Sequence, residues 1–358
     1  MRRLLYMNET ITLKNRQKKI LNLLAQQPNL SSTQLNNQLS ILYSVSKATL
    51  ARDLQILTNQ KLISKTGKGP STTYKPINKH PLLPSIDLDQ YFAIESDNRL
   101  QANSSFNPQV FKHLNNLLLQ SEKTHLKKIH QSFSKATSKH SSAYLKRELE
   151  RYVIDLSWKS SHIEGNTYTL LETETLLKQN LEASGHTREE AIMILNHKTT
   201  FENIFKHKAD FKRLTMSAVI KLHSLLTQNL KVTPGIRTRP VRITGTPYKP
   251  LSLQPQIQKN LERIIKLINQ TKHPIEKVII SNSLVAYLQP FMDGNKRTSR
   301  MLGNAILLAH DHFPLSFRNI DENEYKQALV LFYETNNLHH LKRLILEQYQ
   351  FALSEYFI

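Results

Sequence analysis

The residues best suited to chemistry in this chain of 358 residues lie in one polar stretch that leads into an apolar helix. The stretch reads Leu288-Gln289-Pro290-Phe291-Met292-Asp293-Gly294-Asn295-Lys296-Arg297-Thr298-Ser299-Arg300, and an apolar run from Met301 to Ala309 follows it. A helix N-terminus attracts anions, because free backbone amides and the positive end of the helix macrodipole converge there. Gly294 permits close approach of the backbone, and the three cationic side chains that follow it suit phosphates.

Asp293 adds a carboxylate to these cations, and carboxylate oxygens are ligands that Mg²⁺ accepts. The stretch therefore predicts a site for a nucleotide polyphosphate with its metal. In the alternative interpretation it is a structural loop whose arginines pair with nearby carboxylates. Three cations around one Gly-Asn turn favour the ligand site.

The same stretch resembles, from Phe291 to Arg300, the signature of the Fic (Fido) family, His-x-Phe-x-Asp/Glu-Gly-Asn-Gly/Lys-Arg-x-x-Arg. The resemblance covers about residues 157 to 351. It implies an all-helical core and an activity that moves AMP from ATP to a Ser, Thr or Tyr hydroxyl of a target protein. It also implies a role for each matching residue: Mg²⁺ on Asp293, an anion site lined by Gly294, Asn295 and Lys296, and the β- and γ-phosphates on Arg297 and Arg300.

One position departs from that signature, because Gln289 stands where the family has its catalytic histidine. The family's histidine takes the proton from the attacking hydroxyl, whereas a carboxamide does not titrate near neutral pH. Losing a general base costs about 10²- to 10⁴-fold in rate. Three outcomes stay open: weakened AMP transfer, redirection to removal of AMP from a modified protein, and a catalytically inactive, nucleotide-sensing transcriptional regulator.

A second segment extends the resemblance. It reads Trp158-Lys159-Ser160-Ser161-His162-Ile163-Glu164-Gly165-Asn166 and is similar to the family's inhibitory helix, Ser/Thr-x-x-x-Glu-Gly/Asn. In such members the glutamate pairs with the second signature arginine and obstructs the γ-phosphate, so Glu164 is expected to pair with Arg300. A carboxylate there competes with phosphate for the same bidentate donor. In the redirected activity, Glu164 would instead orient the water that removes AMP.

A third segment, from Gly235 to Pro250, alternates polar and apolar residues before a glycine turn, which predicts a small β-hairpin. It resembles the Fic flap, which holds a target segment by strand addition. The residues expected in that contact are Val241, Arg242, Ile243 and Thr244. The resemblance gives His223 a structural role in the preceding helix and places the adenine contacts near Tyr325 and residues 334–336.

Charge separates the beginning of the chain from the rest. The chain has 49 Lys+Arg and 28 Asp+Glu, a net charge of +21. Residues 1–80 hold 13 basic side chains against Glu9 and Asp53, a net +11, which leaves +10 for the other residues. Such concentration in a small segment favours a polyanionic partner.

The pattern of residues 14–76 predicts a DNA reader. Helical spacing from Asn15 to Gln27 is followed by two capped starts at Ser31 and Ser46, and then by a β-hairpin from Lys61 to Lys75. This order resembles the winged helix-turn-helix of bacterial regulators. The third helix would enter the major groove and the wing would contact the backbone. The expected DNA contacts are Ser46, Lys47, Thr49 and Arg52 on the helix and Lys65 and Lys68 on the wing. A protein-docking module is the alternative.

We therefore expect a mainly α protein in three segments: a winged helix-turn-helix over residues 1–80, a linker and helical scaffold over 81–156, and a Fic domain with a small β-hairpin flap over 157–358. The absence of cysteine excludes thiolate chemistry and disulfides. No apolar run is long enough for a membrane span or a signal peptide. The expected location is the bacterial cytoplasm, with delivery into a host cell as an alternative. Expected partners are Mg²⁺, ATP, a protein with a hydroxyl target and DNA, with a homodimer also possible.

Overall fold

The computed structural model describes residues 14–40, 43, 45–60, 62–77, 80–99 and 102–356. The chain divides into two compact units between Asp87 and Leu88. The predicted scaffold and Fic segments share a helix, because α6 runs without a break from Ser142 to His162 across residues 156 and 157.

The N-terminal unit has three helices and three short strands. They are α1 Asn15–Gln26, β1 Leu30–Ser31, α2 Ser32–Leu39, α3 Lys47–Asn59, β2 Ile63–Thr66 and β3 Thr73–Pro76. The predicted order of helices and hairpin is confirmed. The two-residue strand β1 is an addition, since it pairs antiparallel with β3 opposite β2, with Leu30 against Tyr74.

Serine caps start the second and third helices. Ser31 Oγ accepts from Gln34 N, and Ser46 Oγ accepts from Thr49 N, each at 3.2 Å. These caps satisfy amides that the helix itself leaves unpaired. The inward faces of the three helices pack around one apolar core, formed by Ile20, Leu24, Leu35, Leu39, Leu50, Leu54, Leu57 and Ile63 among others.

The second unit is helical. Its helices are α4 Leu88–Phe92, α5 Gln120–Thr137, α6 Ser142–His162, α7 Leu170–Gln179, α8 Arg188–Lys206, α9 Met216–Leu226, α10 Gln254–Gln270, α11 Pro274–Leu288, α12 Asn295–Ala309, α13 Glu322–Thr335 and α14 His339–Glu355. Short 3₁₀ helices cover Ser96–Asn98, Pro108–His113 and Lys208–Phe211. No helix in the described ranges is both long and apolar enough to cross a bilayer.

Two helices in the middle of this unit set the frame for the polar stretch. Every residue of α11 from Ile275 to Leu288 is buried, including the polar residues Glu276, Lys277, Ser281, Asn282 and Ser283, so this helix lies in the interior on all sides. α12 packs closely against it at Gly303. A Cβ at that glycine would lie 2.6 Å from Asn282 Nδ2 and 3.2 Å from Val278 Cγ1. The short interhelical distance therefore depends on glycine.

The prediction of a β-hairpin between Gly235 and Pro250 is wrong. Val241, Arg242, Ile243 and Thr244 belong to no strand, and the only described bridge in the segment joins Lys249 to Ser105. Prolines 240, 247 and 250 lack the amide hydrogens that a ladder needs. In addition, Lys249 N donates to Ser104 O at 3.0 Å, outside the segment.

Candidate functional site

The polar stretch forms the loop between α11 and α12, and Asn295 holds it in shape. Its Oδ1 accepts from Phe291 N at 2.9 Å, and its Nδ2 donates to Phe291 O at 2.9 Å and to Gln289 Oε1 at 3.0 Å. These bonds engage the side chain of Asn295 within the loop. Only its backbone amide is therefore left to contribute to the predicted anion site.

Gln289 has a buried side chain with both ends engaged. Nε2 donates to Ala286 O at 2.7 Å, while Oε1 accepts from Asn295. Its backbone is left-handed at φ 50°, and its carbonyl accepts from Arg237 Nε at 2.7 Å. The amide thus supports the loop and offers no titrating group there.

Arg237 lies near the beginning of the flap segment, Gly235 to Pro250. Its side chain is 2% exposed and donates to the backbone carbonyls of Gln289, Arg239 and Leu251, and its own amide donates to Pro290 O. It therefore ties the beginning of the flap segment to the loop. The sequence holds no signal for this contact, because its acceptors are backbone carbonyls, one of them 52 residues away.

The N-terminus of α12 begins at a left-handed glycine and has no side-chain cap among the described residues. Gly294 has φ 75°, and a Cβ there would lie 3.1 Å from Thr227 Cγ2. No side chain caps the helix, so none of the first amides is satisfied by a capping group. Lys296, on the first turn, is 32% exposed in its side chain. These features place the positive end of a helix dipole beside a partly exposed cation.

Arg297 is buried next to this helix end and is only partly paired. Its side chain is 3% exposed, and Nη2 donates to Asp293 Oδ2 at 3.1 Å. Nη1 is buried and has no hydrogen-bond partner among the described residues. Burial lowers the pKa of the guanidinium, against the pull of Asp293 and Glu164. A buried cation with a free donor is a favourable position for an anion.

Asp293 points outward, with 69% of its side chain exposed. No group of three His, Cys, Asp or Glu side chains that could hold a metal occurs in the described ranges. A single carboxylate still fits Mg²⁺, because this ion keeps several waters and takes its remaining ligands from phosphates.

His223 supports the loop from α9. Its ring stacks on Phe291 with centroids 3.7 Å apart, and Nε2 lies 3.0 Å from Asp293 O. Since a carbonyl only accepts, Nε2 carries the hydrogen. Burial lowers the pKa of His223 to about 4. A neutral, stacked histidine fits the expected structural role.

The C-terminal end of α6 reaches the far side of α12. Arg300 is 1% exposed, and its Nη1 donates to Glu164 Oε1 at 2.8 Å. Its Nε donates to Ser160 Oγ at 3.0 Å, and its Nη2 donates to Ser160 O at 2.8 Å. We call Ser160, Glu164 and Arg300 the clamp. The expected contact between Glu164 and Arg300 is present. Together with the two bonds to Ser160, it engages all three nitrogens of the guanidinium.

A second cation strengthens the clamp, since Lys296 Nζ lies 3.1 Å from Glu164 Oε2. Burial alone would raise the pKa of Glu164, but Arg300 and Lys296 lower it to about 2. Glu164 is therefore ionised at neutral pH and is a weak base while both cations hold it.

In the region where the adenine contacts are expected, Glu334 and Asn336 bond to other residues of the protein. Tyr325 is buried with its ring centroid 5.8 Å from Arg300 Cζ. The carboxylate of Glu334 is buried, paired with Arg99 at 2.8 Å, and accepts from the Tyr91 hydroxyl at 2.6 Å. Asn336 Oδ1 accepts from Asn107 at 2.9 Å. Arg99 and Tyr91 lie in the predicted linker and were missed, because nothing local marks them as partners of α13.

The predicted DNA contacts come together in the N-terminal unit. Lys47 and Arg52 are exposed on α3, and Lys65 and Lys68 are exposed on the wing. Ser46 and Thr49 serve first as the helix cap, with their hydroxyl oxygens 2.9 Å apart. Asp53 is buried and pairs with Arg16, while Gln17 donates to it at 2.9 Å. The acidic residue of α3 is thus turned inward, away from the exposed cations.

Each unit contains a segment that matches a known family. Residues 213–307 match the Fic/DOC family, and residues 16–69 match the DeoR-like helix-turn-helix domain. The protein adenylyltransferase Fic of Nematostella vectensis is 25% identical over 190 residues, covering 52% of this chain and 44% of the relative. That of Drosophila persimilis is 25% identical over 254 residues, covering 68% and 48%. The chain spans less than half the length of these relatives.

Solved structures agree on the fold. A Fic domain containing signaling protein from Bacteroides thetaiotaomicron superposes with a TM-score of 0.55 at 19% identity, covering 64% of this chain and 94% of that one. Fic-1 from C. elegans gives 0.55 at 18% identity, covering 68% and 79%. The second unit therefore has the Fic fold.

Proposed function

From the Fic/DOC domain and the DeoR-like helix-turn-helix domain that this chain carries, we propose a Fic-type ATP-binding protein, held inhibited by Glu164, that also binds DNA. Transfer of AMP from ATP to a protein hydroxyl is its ancestral reaction and is weakened by Gln289. The observation that carries the ATP site is the buried, unpartnered Nη1 of Arg297 beside an uncapped helix N-terminus.

Phosphate binding follows from the charges at that end of α12. The amides of the first turn, Lys296 and the free donor of Arg297 all suit phosphate oxygens. Asp293 would hold Mg²⁺, moving out of its contact with Arg297. When bound, this ion neutralises charge on the phosphate oxygens.

Inhibition follows from the clamp. A γ-phosphate can reach Arg300 only after Glu164 leaves, because the Glu164 carboxylate accepts from Nη1 and repels a second anion at that edge of the guanidinium. With Arg300 held, ATP loses one charge-assisted contact and meets the carboxylate of Glu164. Replacing Glu164 by glycine is therefore expected to improve ATP binding.

Weak transfer follows from Gln289. An amide engaged with Ala286 and Asn295 cannot accept the proton of an attacking hydroxyl. Positioning and phosphate electrostatics remain and would support residual turnover.

A protein target suits the flap segment. Val241 and Ile243 are half-buried, while Arg242 and Thr244 are exposed, and Thr244 begins a turn. Because the described residues give these four no strand partner, a target segment could pair with them.

A nucleotide-sensing transcriptional regulator is the second candidate. The locked side chain of Gln289 favours it, because a site can bind nucleotide without transferring AMP. Removal of AMP by Glu164 is less favoured in the clamped state, since a carboxylate with a pKa of about 2 is a poor proton acceptor.

Calorimetry with Mg-ATP tests the ATP site. The Glu164→Gly variant should bind, and adding Arg297→Ala should cost about 1.5 to 3 kcal/mol, the range for a hydrogen bond to a charged group. Arg188→Ala, an exposed arginine on α8, is the matched control and should change nothing. Absence of ATP binding by Glu164→Gly would refute the proposal.

A further inference from the structure

A buried histidine lies behind the clamp, outside both the phosphate loop and the inhibitory motif. His197 is on α8 and is fully buried. Its Nε2 lies 2.9 Å from Ser160 Oγ, the oxygen that is also 3.0 Å from Arg300 Nε. The Ser160 hydroxyl is therefore held between an imidazole and a guanidinium.

The chemistry of the partners fixes the direction of each hydrogen bond. Arg300 Nε can only donate, so Ser160 Oγ accepts from it. His197 Nδ1 lies 2.8 Å from Met193 O, and a carbonyl only accepts, so Nδ1 carries a hydrogen. Burial and the nearby Arg297 and Arg300 lower the pKa of His197 to about 3, so its ring is neutral at pH 7.

In that neutral ring Nε2 has a free lone pair, and the Ser160 hydroxyl donates to it. We infer that His197 is a positioning residue of the clamp, which takes the Ser160 hydrogen and so keeps a Ser160 lone pair directed at Arg300 Nε. Without an acceptor at position 197 the hydroxyl is free to rotate, and a buried Arg300 hydrogen loses its fixed partner. This inference rests on the proposed function, since it concerns how firmly Arg300 is kept from ATP.

The neighbouring serine supplies a matched control. Ser161 Oγ is 3.3 Å from His197 Nδ1, whose hydrogen already serves Met193 O, and it makes no described contact with Arg300. Ser161→Ala should therefore leave the clamp unchanged, whereas Ser160→Ala should weaken it.

ATP affinity of the full chain, measured by calorimetry, tests the inference. His197→Phe, which keeps a ring but removes the acceptor, should raise affinity about tenfold, the scale of one charge-assisted hydrogen bond. His197→Gln restores an acceptor oxygen and should stay near the unmodified protein. Ser160→Ala should match His197→Phe, and the double variant should exceed neither. With Glu164→Gly present, His197→Phe should have no effect.

Two affinity results would overturn the inference: additive effects of His197→Phe and Ser160→Ala, or no effect of a His197→Phe variant that melts like the unmodified protein. ¹⁵N spectra of histidine-labelled, unmodified protein give a readout without ATP and without a variant. A hydrogen on Nδ1 and none on Nε2 of His197 supports the inference, and the opposite tautomer refutes it. Failure of Glu164→Gly to bind ATP would refute the proposed function alone, and the tautomer would still decide the role of His197.

Discussion

The proposed nucleotide site holds its two arginines in the interior, whereas the N-terminal unit displays its cations on the surface. Arg300 and Arg297 are 1% and 3% exposed, and Glu164 holds one of them directly. Lys47, Arg52, Lys65 and Lys68 are exposed, and none forms an ion pair with a described carboxylate. Buried charges select one geometry and are little screened by salt, while exposed charges attract a polyanion at long range and are strongly screened.

The largest effect is expected from restoring a base to the buried site. In the Glu164→Gly background, Gln289→His should raise AMP incorporation into protein by about 10²-fold or more, the usual contribution of a positioned general base. Intact-mass analysis after incubation with Mg-ATP measures it, with Glu164→Gly alone as control. If AMP appears in no variant but ATP changes DNA affinity, the buried site is a sensor.

The pH dependence of stability should reveal the clamp. The pKa of Glu164 is lowered in the folded protein to about 2, so its stabilisation is complete above its ordinary pKa of 4.5 and is lost as pH falls from there toward 2. This corresponds to about 3 kcal/mol at neutral pH. Denaturant unfolding of Glu164→Gln should show a deficit that is constant from pH 5 to 8 and shrinks below 4.5.

Glu174→Gln is the control for that measurement, because Glu174 pairs with Lys178 on the surface of α7. An exposed pair contributes little, so this variant should unfold almost like the unmodified protein. A pH-independent deficit for Glu164→Gln would mean that the clamp adds no proton-linked stability.

DNA binding by the N-terminal unit should depend strongly on salt, whereas the buried clamp should not. Lys47, Arg52 and Lys68 changed together to Glu should abolish duplex binding by the full chain. If the unmodified protein neutralises about three phosphates, its affinity should fall about 40-fold between 50 and 200 mM salt. Fluorescence anisotropy measures both.

The matched control reverses three exposed lysines of α5, Lys127, Lys128 and Lys135, and should keep most of the binding. Equal loss in both triple variants would show that net charge, and not the surface of α3 and the wing, attracts DNA.

The smallest effect is expected where a charge of the site reaches the surface. Lys296→Met removes a pair whose lysine side chain is 32% exposed, so unfolding free energy should fall by about 1 kcal/mol or less. A loss near that of Glu164→Gln would place Lys296 among the buried charges and blur the contrast between the two regions.

The sequence predicted those parts of the structure that depend on neighbouring residues in the chain. Caps at Ser31 and Ser46 and the apolar periodicity of α1 to α3 located the N-terminal unit. A contiguous motif marked the loop between α11 and α12, and a second motif predicted the contact between Glu164 and Arg300, 136 residues apart. The contacts that were missed have partners far away in the chain and no motif of their own: His197 behind Ser160, Arg237 on backbone carbonyls, and Arg99 on Glu334.

The hairpin prediction failed for a related reason. Alternation at Val241 to Thr244 matches their alternating exposure, but Thr244 begins a turn and none of the four lies in a strand. It could not tell whether a partner strand exists in the same chain, since pairing is a tertiary property. The prolines of the segment were the available signal.

Gly303 shows how differently the two sides of the contact between Glu164 and Arg300 are packed. A Cβ at that position would lie 2.6 Å from Asn282 Nδ2, so α12 is packed tightly against α11, and both Arg297 and Arg300 lie on that helix. Gly165, just past the end of α6, has φ 96° and no described atom within 4 Å of where a Cβ would lie. Packing around the contact between Glu164 and Arg300 is therefore asymmetric: the helix that carries the arginine is enclosed, whereas the backbone next to Glu164 borders open space.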